Sequence, residues 1–206
     1  MKKVLCAAIV SLLTLTAVAQ NVALKTEGQD PKYVETIKGR AQKIVDGLQL
    51  KDSQQAENVR NIIANRYFLL NDIHAKYDKK TQQDALQAEL YKHHFELASA
   101  LALYLTDDQI DAVKDGMTFG RLKRDYQAQQ EMIPTLKEEE KLQILIWLKE
   151  AREFAMDAAD SKGKHFWFDK YRGRTNNWLS ARGYDLKKER EAWQKRIDEQ
   201  KAKQKK

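Results

Sequence analysis

Residues that interrupt a helix are scarce in this chain. Two prolines and eight glycines occur among 206 residues, while the helix-favouring residues Ala, Leu, Gln, Glu and Lys fill long stretches. No run of alternating apolar and polar residues is long enough to predict a sheet. The sequence therefore predicts an all-α fold, a single-domain bundle of about seven or eight helices.

The first nineteen residues have the pattern of a secretory signal. Lys2 and Lys3 precede an apolar run, and Ala17-Val18-Ala19 is the small-x-small pattern that signal peptidase recognises. Cleavage after Ala19 would also remove Cys6, the single cysteine, so the mature chain would hold no disulfide. No later segment approaches the roughly 18 apolar residues of a membrane span. We expect a periplasmic or secreted protein, with residues 20–186 as a helical domain and 187–206 as a charged C-terminal helix and tail.

The net charge of +7 is concentrated at the two ends of the chain. Lys2 and Lys3 supply two charges, residues 187–206 supply five, and residues 20–186 are neutral. Because the helical domain itself is not basic, its composition argues against nucleic acid as a partner. The basic tail is either a solvated end or a docking arm for an anionic polymer or a membrane surface.

Capping residues and turns predict the helix boundaries. Asp30 before Pro31 predicts one helix start and Asp52 predicts another. A third helix is expected over residues 81–104. Further boundaries are expected at the capping boxes Thr106–Gln109 and Thr135–Glu138, at the turn Gly116–Gly120 with its two glycines, and before Pro134.

The stretch 164–186 combines aromatic, cationic and amide side chains more densely than the rest of the chain. It predicts an amphipathic helix that ends near Gly183. Apolar residues recur along it at intervals of three and four. A second set at helical spacing predicts a polar stripe, formed by His165, Asp169, Arg172 and Asn176.

Two other predicted helices also carry polar residues at helical spacing. The second helix places Tyr67, Asn71 and His74 on one face, and the sixth places Glu150, Glu153 and Asp157 on one face near Arg152. Such groups could bind a ligand or act as acid and base, or they could be satisfied polar residues between helices. The ligand motifs typical of metal sites do not occur, so we expect neither a metal nor another cofactor.

The segment around Arg174 has the chemistry of a sugar site. Forked guanidinium groups hold carboxylates, sulfates or vicinal hydroxyls, amides bind hydroxyl pairs, and a flat aromatic ring packs on a sugar face. The alternative is that the aromatic rings are core and that the arginines pair with carboxylates of the sixth helix. The candidates in this segment are Arg172, Arg174, Asn176 and Asn177, with Trp167, Tyr171 and Trp178 as possible stacking partners.

Several sequence blocks resemble one family of exported bacterial proteins, catalogued as domain of unknown function 3826. The blocks are Arg66–His74, Leu105–Gly120, Met132–Leu136, Glu150–Asp157 and Lys170–Leu186. The resemblance covers nearly all of the mature chain. It implies a helical, secreted protein that binds sugar and is linked to polysaccharide utilisation in gut-type anaerobes. It supplies no catalytic residues.

We therefore expect a protein that binds a carbohydrate, with an acidic sugar as one option, in a single polar cleft. The cleft would be formed by residues 66–74, 150–157 and 165–177. One alternative is a carbohydrate-active enzyme, with Glu150 or Glu153 as general acid or base and His74 or His165 assisting. Another is a periplasmic stress-type chaperone or scaffold with an exposed apolar face.

Overall fold

The computed structural model describes residues 21–204, and this part of the chain is all-α, as predicted. The predicted signal peptide, residues 1–19, lies outside the described residues. Among the described residues, no helix is both long enough and apolar enough to cross a membrane. Residues 21–204 form nine helices: α1 Pro31–Leu48, α2 Ser53–Lys76, α3 Gln83–His93, α4 Glu96–Leu101, α5 Asp107–Met117, α6 Arg121–Met132, α7 Glu138–Met156, α8 Ser161–Ala181 and α9 Leu186–Gln204.

Three of the predicted helix starts are confirmed by their side-chain caps. Asp30 accepts a hydrogen bond from the backbone N–H of Tyr33 at 2.9 Å, and Asp52 accepts one from Gln55 at 2.8 Å. Thr106 forms the expected reciprocal box with Gln109. Each cap satisfies a backbone donor that the helix itself leaves unpaired.

The third predicted helix, 81–104, is two helices in the structure, because tertiary contacts break it after His93. The guanidinium of Arg66 donates to the backbone carbonyl of His93 at 2.8 Å, so this carbonyl is satisfied without a continuing helix. The next side chain, His94, bonds Asp157 of the distant helix α7 at 2.6 Å. The segment contains no proline or glycine, so its sequence carries no signal for the break.

Two predicted boundaries differ in detail. Helix α7 begins at Glu138 with Lys137 as its N-cap, two residues later than the predicted box Thr135–Glu138, and the only side-chain cap is Glu140, which accepts from the backbone N–H of Lys137 at 3.0 Å. Leu136 explains the shift, since its side chain is buried in the core and keeps this segment out of the helix. In the turn after α5, Gly120 has a positive φ of 62° as predicted, but Phe119, at 61°, takes the second left-handed position and Gly116 remains helical.

The apolar side chains form two large clusters. The first core lies between α1, α2, α4 and α5 and includes Ile37, Ile63 and Val113. The second core lies between α6, α7 and α8, with α9 packed on it, and includes Ile144 and Phe168. A small third cluster joins α3 to α2.

An ionic layer, with buried arginines and partly exposed carboxylates, joins α2 and α5 to α7. Two nearly inaccessible arginines belong to it, Arg66 from α2 and Arg152 from α7. Such pairs hold a relative orientation because a buried charge separated from its partner is costly. The layer comprises Arg66 with Asp157, Arg152 with Asp111 and Asp115, and Lys114 with Glu153, at nitrogen–oxygen distances of 2.5 to 2.9 Å.

Candidate functional site

A cleft of about 490 Å³, here called the first cleft, opens between helices α2 and α3 on one side and α7 and α8 on the other. Positions 150, 153, 154 and 157 of α7 lie within about 100° of each other around the helix axis, so their side chains share the face towards this cleft. Predicted candidates that line it are His74, Glu150, Glu153 and Asp157, together with the stacking candidate Trp167.

Asp157 organises the inner end of the first cleft. One carboxylate oxygen accepts from Arg66 Nη2 at 2.5 Å, and the other bonds His94 Nδ1 at 2.6 Å. Its backbone carbonyl accepts from His74 Nε2 at 2.8 Å. The hydrogen bond to Asp157 raises the pKa of His94, and the nearby charges of Asp157 and Glu153 add to this effect against the desolvation of the ring.

Two further carboxylates of α7 line the first cleft, each with a cation beside it. Glu153 pairs with Lys114 at 2.9 Å, and it also lies 3.8 Å from Arg152 Nη2 and 3.9 Å from His94 Nε2. Glu150 lies 3.6 Å from Arg174 of α8. Burial, followed by a hydrogen bond to Glu150, raises the pKa of Tyr171 to about 12. His94 therefore lies between two carboxylates, an arrangement in which an imidazole can exchange protons with a bound molecule.

Aromatic side chains form the outer walls of the first cleft. Phe154 and Trp167 stack with ring centroids 4.6 Å apart and planes 18° apart. Tyr91 and Phe95 from the opposite side are 70% and 62% exposed. Exposed rings beside hydrogen-bonding groups offer a ligand both an apolar surface and fixed polar contacts.

Residues from all three stretches predicted to form one cleft do line the first cleft, but Arg172 and Asn176 line a different opening. They lie with Gln129, Arg190 and Trp193 around a second cleft of about 440 Å³ between α6, α7, α8 and α9. Helical geometry is the reason, since residues rotate by about 100° around the axis per position. The stripe of residues 165, 169, 172 and 176 therefore lies opposite residues 167, 171 and 174, which face α7.

His165 is also on the side of α8 that faces away from the first cleft. Its Nδ1 accepts a hydrogen bond from Arg121 of α6 at 2.9 Å, and Arg121 also pairs with Asp169 at 3.0 Å. The ring of His165 stacks on Phe119 at 5.5 Å. This half of the stripe joins α8 to α6.

The remaining predicted residues have separate surroundings. Arg152 is buried in the ionic layer. Tyr67 is 7% exposed and lines neither the first nor the second cleft. Asn71, Asn177 and Arg174 are exposed, and Arg174 lies over the ring of Trp147 at 4.6 Å. Of the set predicted from the sequence, four residues thus share the first cleft.

The sequence reasoning missed His94, which contacts both Asp157 and Glu153. His94 lies in a segment that the sequence predicts as one continuous helix. The direction in which its side chain points depends on the break after His93. No local sequence pattern predicts this break. Among residues 21–204, no group of three or more His, Cys, Asp or Glu side chains is arranged to hold a metal ion.

Comparison with known proteins gives one family. A family model described as "Protein of unknown function (DUF3826)" matches residues 34–199, a range that includes all the lining residues of the first cleft. None of the curated proteins matches the chain.

Proposed function

The chain belongs to the DUF3826 family of proteins of unknown function, and for this member we propose export from the cell and carbohydrate binding in the first cleft. The stacked pair Phe154 and Trp167, beside the carboxylates of α7, is the observation that carries the proposal. The axial C–H groups of a sugar ring pack on an aromatic face, while carboxylates and imidazoles bond its hydroxyls. The pattern of residues 1–19 supports export.

The charges around the first cleft favour a neutral sugar over an acidic one. Glu150, Glu153, Asp157 and Asp160 line it, whereas Lys79 is its only lining lysine or arginine among the described residues. A carboxylated or sulfated sugar would find little free positive charge there, because Arg66, Lys114 and Arg174 already pair with carboxylates of the lining. Arg172, one of the two arginines predicted to hold an acidic sugar, lies at the second cleft.

The test is thermal unfolding of residues 20–206 with neutral oligosaccharides. A sugar present at about 100 times its dissociation constant adds about 2.7 kcal/mol of stability, which gives a clear rise in melting temperature. Trp167→Ala and Phe154→Ala should abolish the rise. Phe166→Ala is the control, because Phe166 is the neighbouring aromatic residue of α8, is 58% exposed and does not line the cleft. The proposal is wrong if no sugar raises the melting temperature, or if a sugar raises it as much in the Trp167 variant as in the wild type.

A carbohydrate-active enzyme is the second candidate, favoured by the position of His94 between Asp157 and Glu153. In this reading His94 and Glu153 exchange protons with the glycosidic oxygen or with water, and Asp157 orients the imidazole. Incubation of the protein with each sugar that binds, followed by analysis for new reducing ends, separates the two functions. Cleavage that is lost in His94→Gln, with binding retained, would establish the enzyme.

A further inference from the structure

A third cleft, of about 380 Å³, lies between α1 and the C-terminal end of α5, over Tyr67 of α2. It shares no lining residue with the first or the second cleft. Arg40 and Lys43 from α1 line it, together with Tyr67 and Phe119, and no aspartate or glutamate does. The charges in the third cleft are thus of one sign.

The two cations of the third cleft have no acidic partner among residues 21–204. Arg40 contacts the face of the Tyr67 ring at 5.4 Å, and neither Arg40 nor Lys43 lies within ion-pair distance of a carboxylate. Both side chains belong to exposed residues. By contrast, every cation of the ionic layer has a carboxylate partner. An anion entering the third cleft would meet two cations that no carboxylate neutralises.

Tyr67 adds a hydrogen-bond donor to the third cleft, and a further cation, which does not itself line the cleft, lies over the Tyr67 ring. Tyr67 lines the cleft, and burial raises the pKa of its hydroxyl to about 12, so the hydroxyl stays a hydrogen-bond donor. On the Tyr67 ring also lies Lys164 Nζ, 5.6 Å from the centroid. Asp157, the carboxylate that acts on Lys164, is already bonded to Arg66 and His94.

The turn after α5 brings the aromatic side chain of Phe119 to the third cleft. With φ at 61°, Phe119 occupies the left-handed region that residues with a side chain rarely adopt and that glycine adopts freely. Its ring is nevertheless 48% exposed and lines the cleft. This angle belongs to the turn that ends α5, where the Gly120 N–H donates to the Asp115 carbonyl at 2.8 Å, and the Phe119 ring stacks on His165. Here the unusual turn presents an aromatic surface next to two free cations.

We infer that the third cleft binds a small organic anion, with one carboxylate, sulfate or phosphate held by Arg40, Lys43 and the Tyr67 hydroxyl. The flat apolar body of the same molecule, such as a sugar ring, would pack on Phe119. The inference does not depend on the proposed function, because the two clefts are separate and each can be empty while the other is occupied.

Isothermal titration with matched ligands tests the site. The probes are glucose, glucuronate, glucose 6-sulfate and glucose 6-phosphate, together with inorganic sulfate and inorganic phosphate. We expect at least one of the three organic anions to bind, and glucose and the two inorganic ions to bind at least about tenfold more weakly, since each loses either the charge contacts or the ring contact. The inference is overturned if none of the organic anions binds, or if inorganic ions bind equally well.

Variants then assign the binding to these residues. Arg40→Gln with Lys43→Gln should weaken binding of the organic anion at least about tenfold. Lys32→Gln with Lys38→Gln removes the same charge from the same helix outside the third cleft and should leave binding unchanged. Phe119→Gly, which relieves the backbone, should erase the preference for organic over inorganic anions. Equal weakening by both charge variants would show attraction to the net charge only and would refute the site.

Discussion

Asp157 connects three parts of the structure through its side chain and backbone. It is the C-cap of α7, and its contacts reach Arg66 and His74 of α2 and His94 after α3. Arg66 is 4% exposed, and its Nε has no partner among the described residues. The carboxylate therefore compensates most of the charge that Arg66 brings into the interior.

We predict that Asp157→Ala lowers the free energy of unfolding by about 3–5 kcal/mol, because it leaves Arg66 buried without its partner. Glu153→Ala is the control, since Glu153 and its partner Lys114 are both partly solvated. Its cost should be about 1 kcal/mol or less. Urea denaturation followed by circular dichroism measures both values. If both variants lose the same free energy of unfolding, the pair between Arg66 and Asp157 does not stabilise the protein as predicted.

Lys164 makes stability depend on pH in the alkaline range. Burial, assisted by the charge of Arg40, lowers the pKa of this lysine from 10.5 to about 8, while Asp157 opposes the change. Its Nζ donates to the backbone carbonyl of Met117 at 3.0 Å, and Arg66 and the Tyr67 ring also face it. Between the folded and unfolded pKa values the unfolded chain binds the additional proton, so stability rises with pH.

We predict that the free energy of unfolding of the wild type, relative to Lys164→Met, rises by about 3 kcal/mol between pH 8 and pH 10.5. Denaturant titrations of both proteins at several pH values measure the difference. Lys170→Met, on the exposed side of the same helix, should follow the wild type. A difference that is constant with pH would show that Lys164 is not titrating in this range.

The positions of the helices could be predicted well from the sequence. The sequence did not always show which neighbouring helix each helix face packs against. Caps such as Asp30, Asp52 and Thr106 act within one turn, so a local pattern is sufficient to find them. The break at His93 depends on Arg66 and Asp157, which are distant in sequence.

The candidate site shows the same limit. Periodicity correctly grouped residues along one helix, as with Glu150, Glu153 and Asp157, which share the first cleft. It could not tell which neighbouring helix each group faces. Periodicity therefore predicts Arg172 in the same cleft as His74, although the two residues line different clefts.

Helices α1 and α5 pack closely at one glycine, and this contact is testable at the scale of the element. A Cβ atom at Gly116 would lie 3.0 Å from Ile44 Cγ1 and 3.1 Å from Ile44 Cγ2, too close for relaxed packing. We predict that Gly116→Ala destabilises the protein by about 1–3 kcal/mol. In an Ile44→Ala background the same change should be neutral or stabilising by up to about 1 kcal/mol, because alanine favours the helix. Additive effects in this double-mutant cycle would contradict the contact.

At the scale of the molecule, two apolar cores meet across charged residues. Apolar surfaces tolerate small displacements, but the pairs of Arg152 with Asp111 and Asp115 fix distance and direction. The first core holds α1, α2, α4 and α5 together as one half of the molecule, and the second core holds α6, α7, α8 and α9 together as the other half. The ionic layer sets the orientation of the two halves relative to each other.

This arrangement predicts two opening free energies in native-state hydrogen exchange. The slowest amides of α1, α2 and α5 should form one group, and those of α7 and α8 another. Arg152→Met should increase the separation between the groups, because it removes contacts between the halves and leaves the two cores intact. A single value shared by all slow amides, in both proteins, would show that the halves unfold as one unit.

The walls of the first cleft come from both halves, with His74 on one side and Trp167 on the other. A molecule that touches both walls therefore acts as a removable crosslink. Proteases cleave a folded chain mainly when it opens transiently, and such a crosslink makes these openings rarer. The rate at which proteases digest this protein should therefore fall when a ligand occupies the first cleft. The fraction of protein that survives digestion then reports how much of the cleft is occupied.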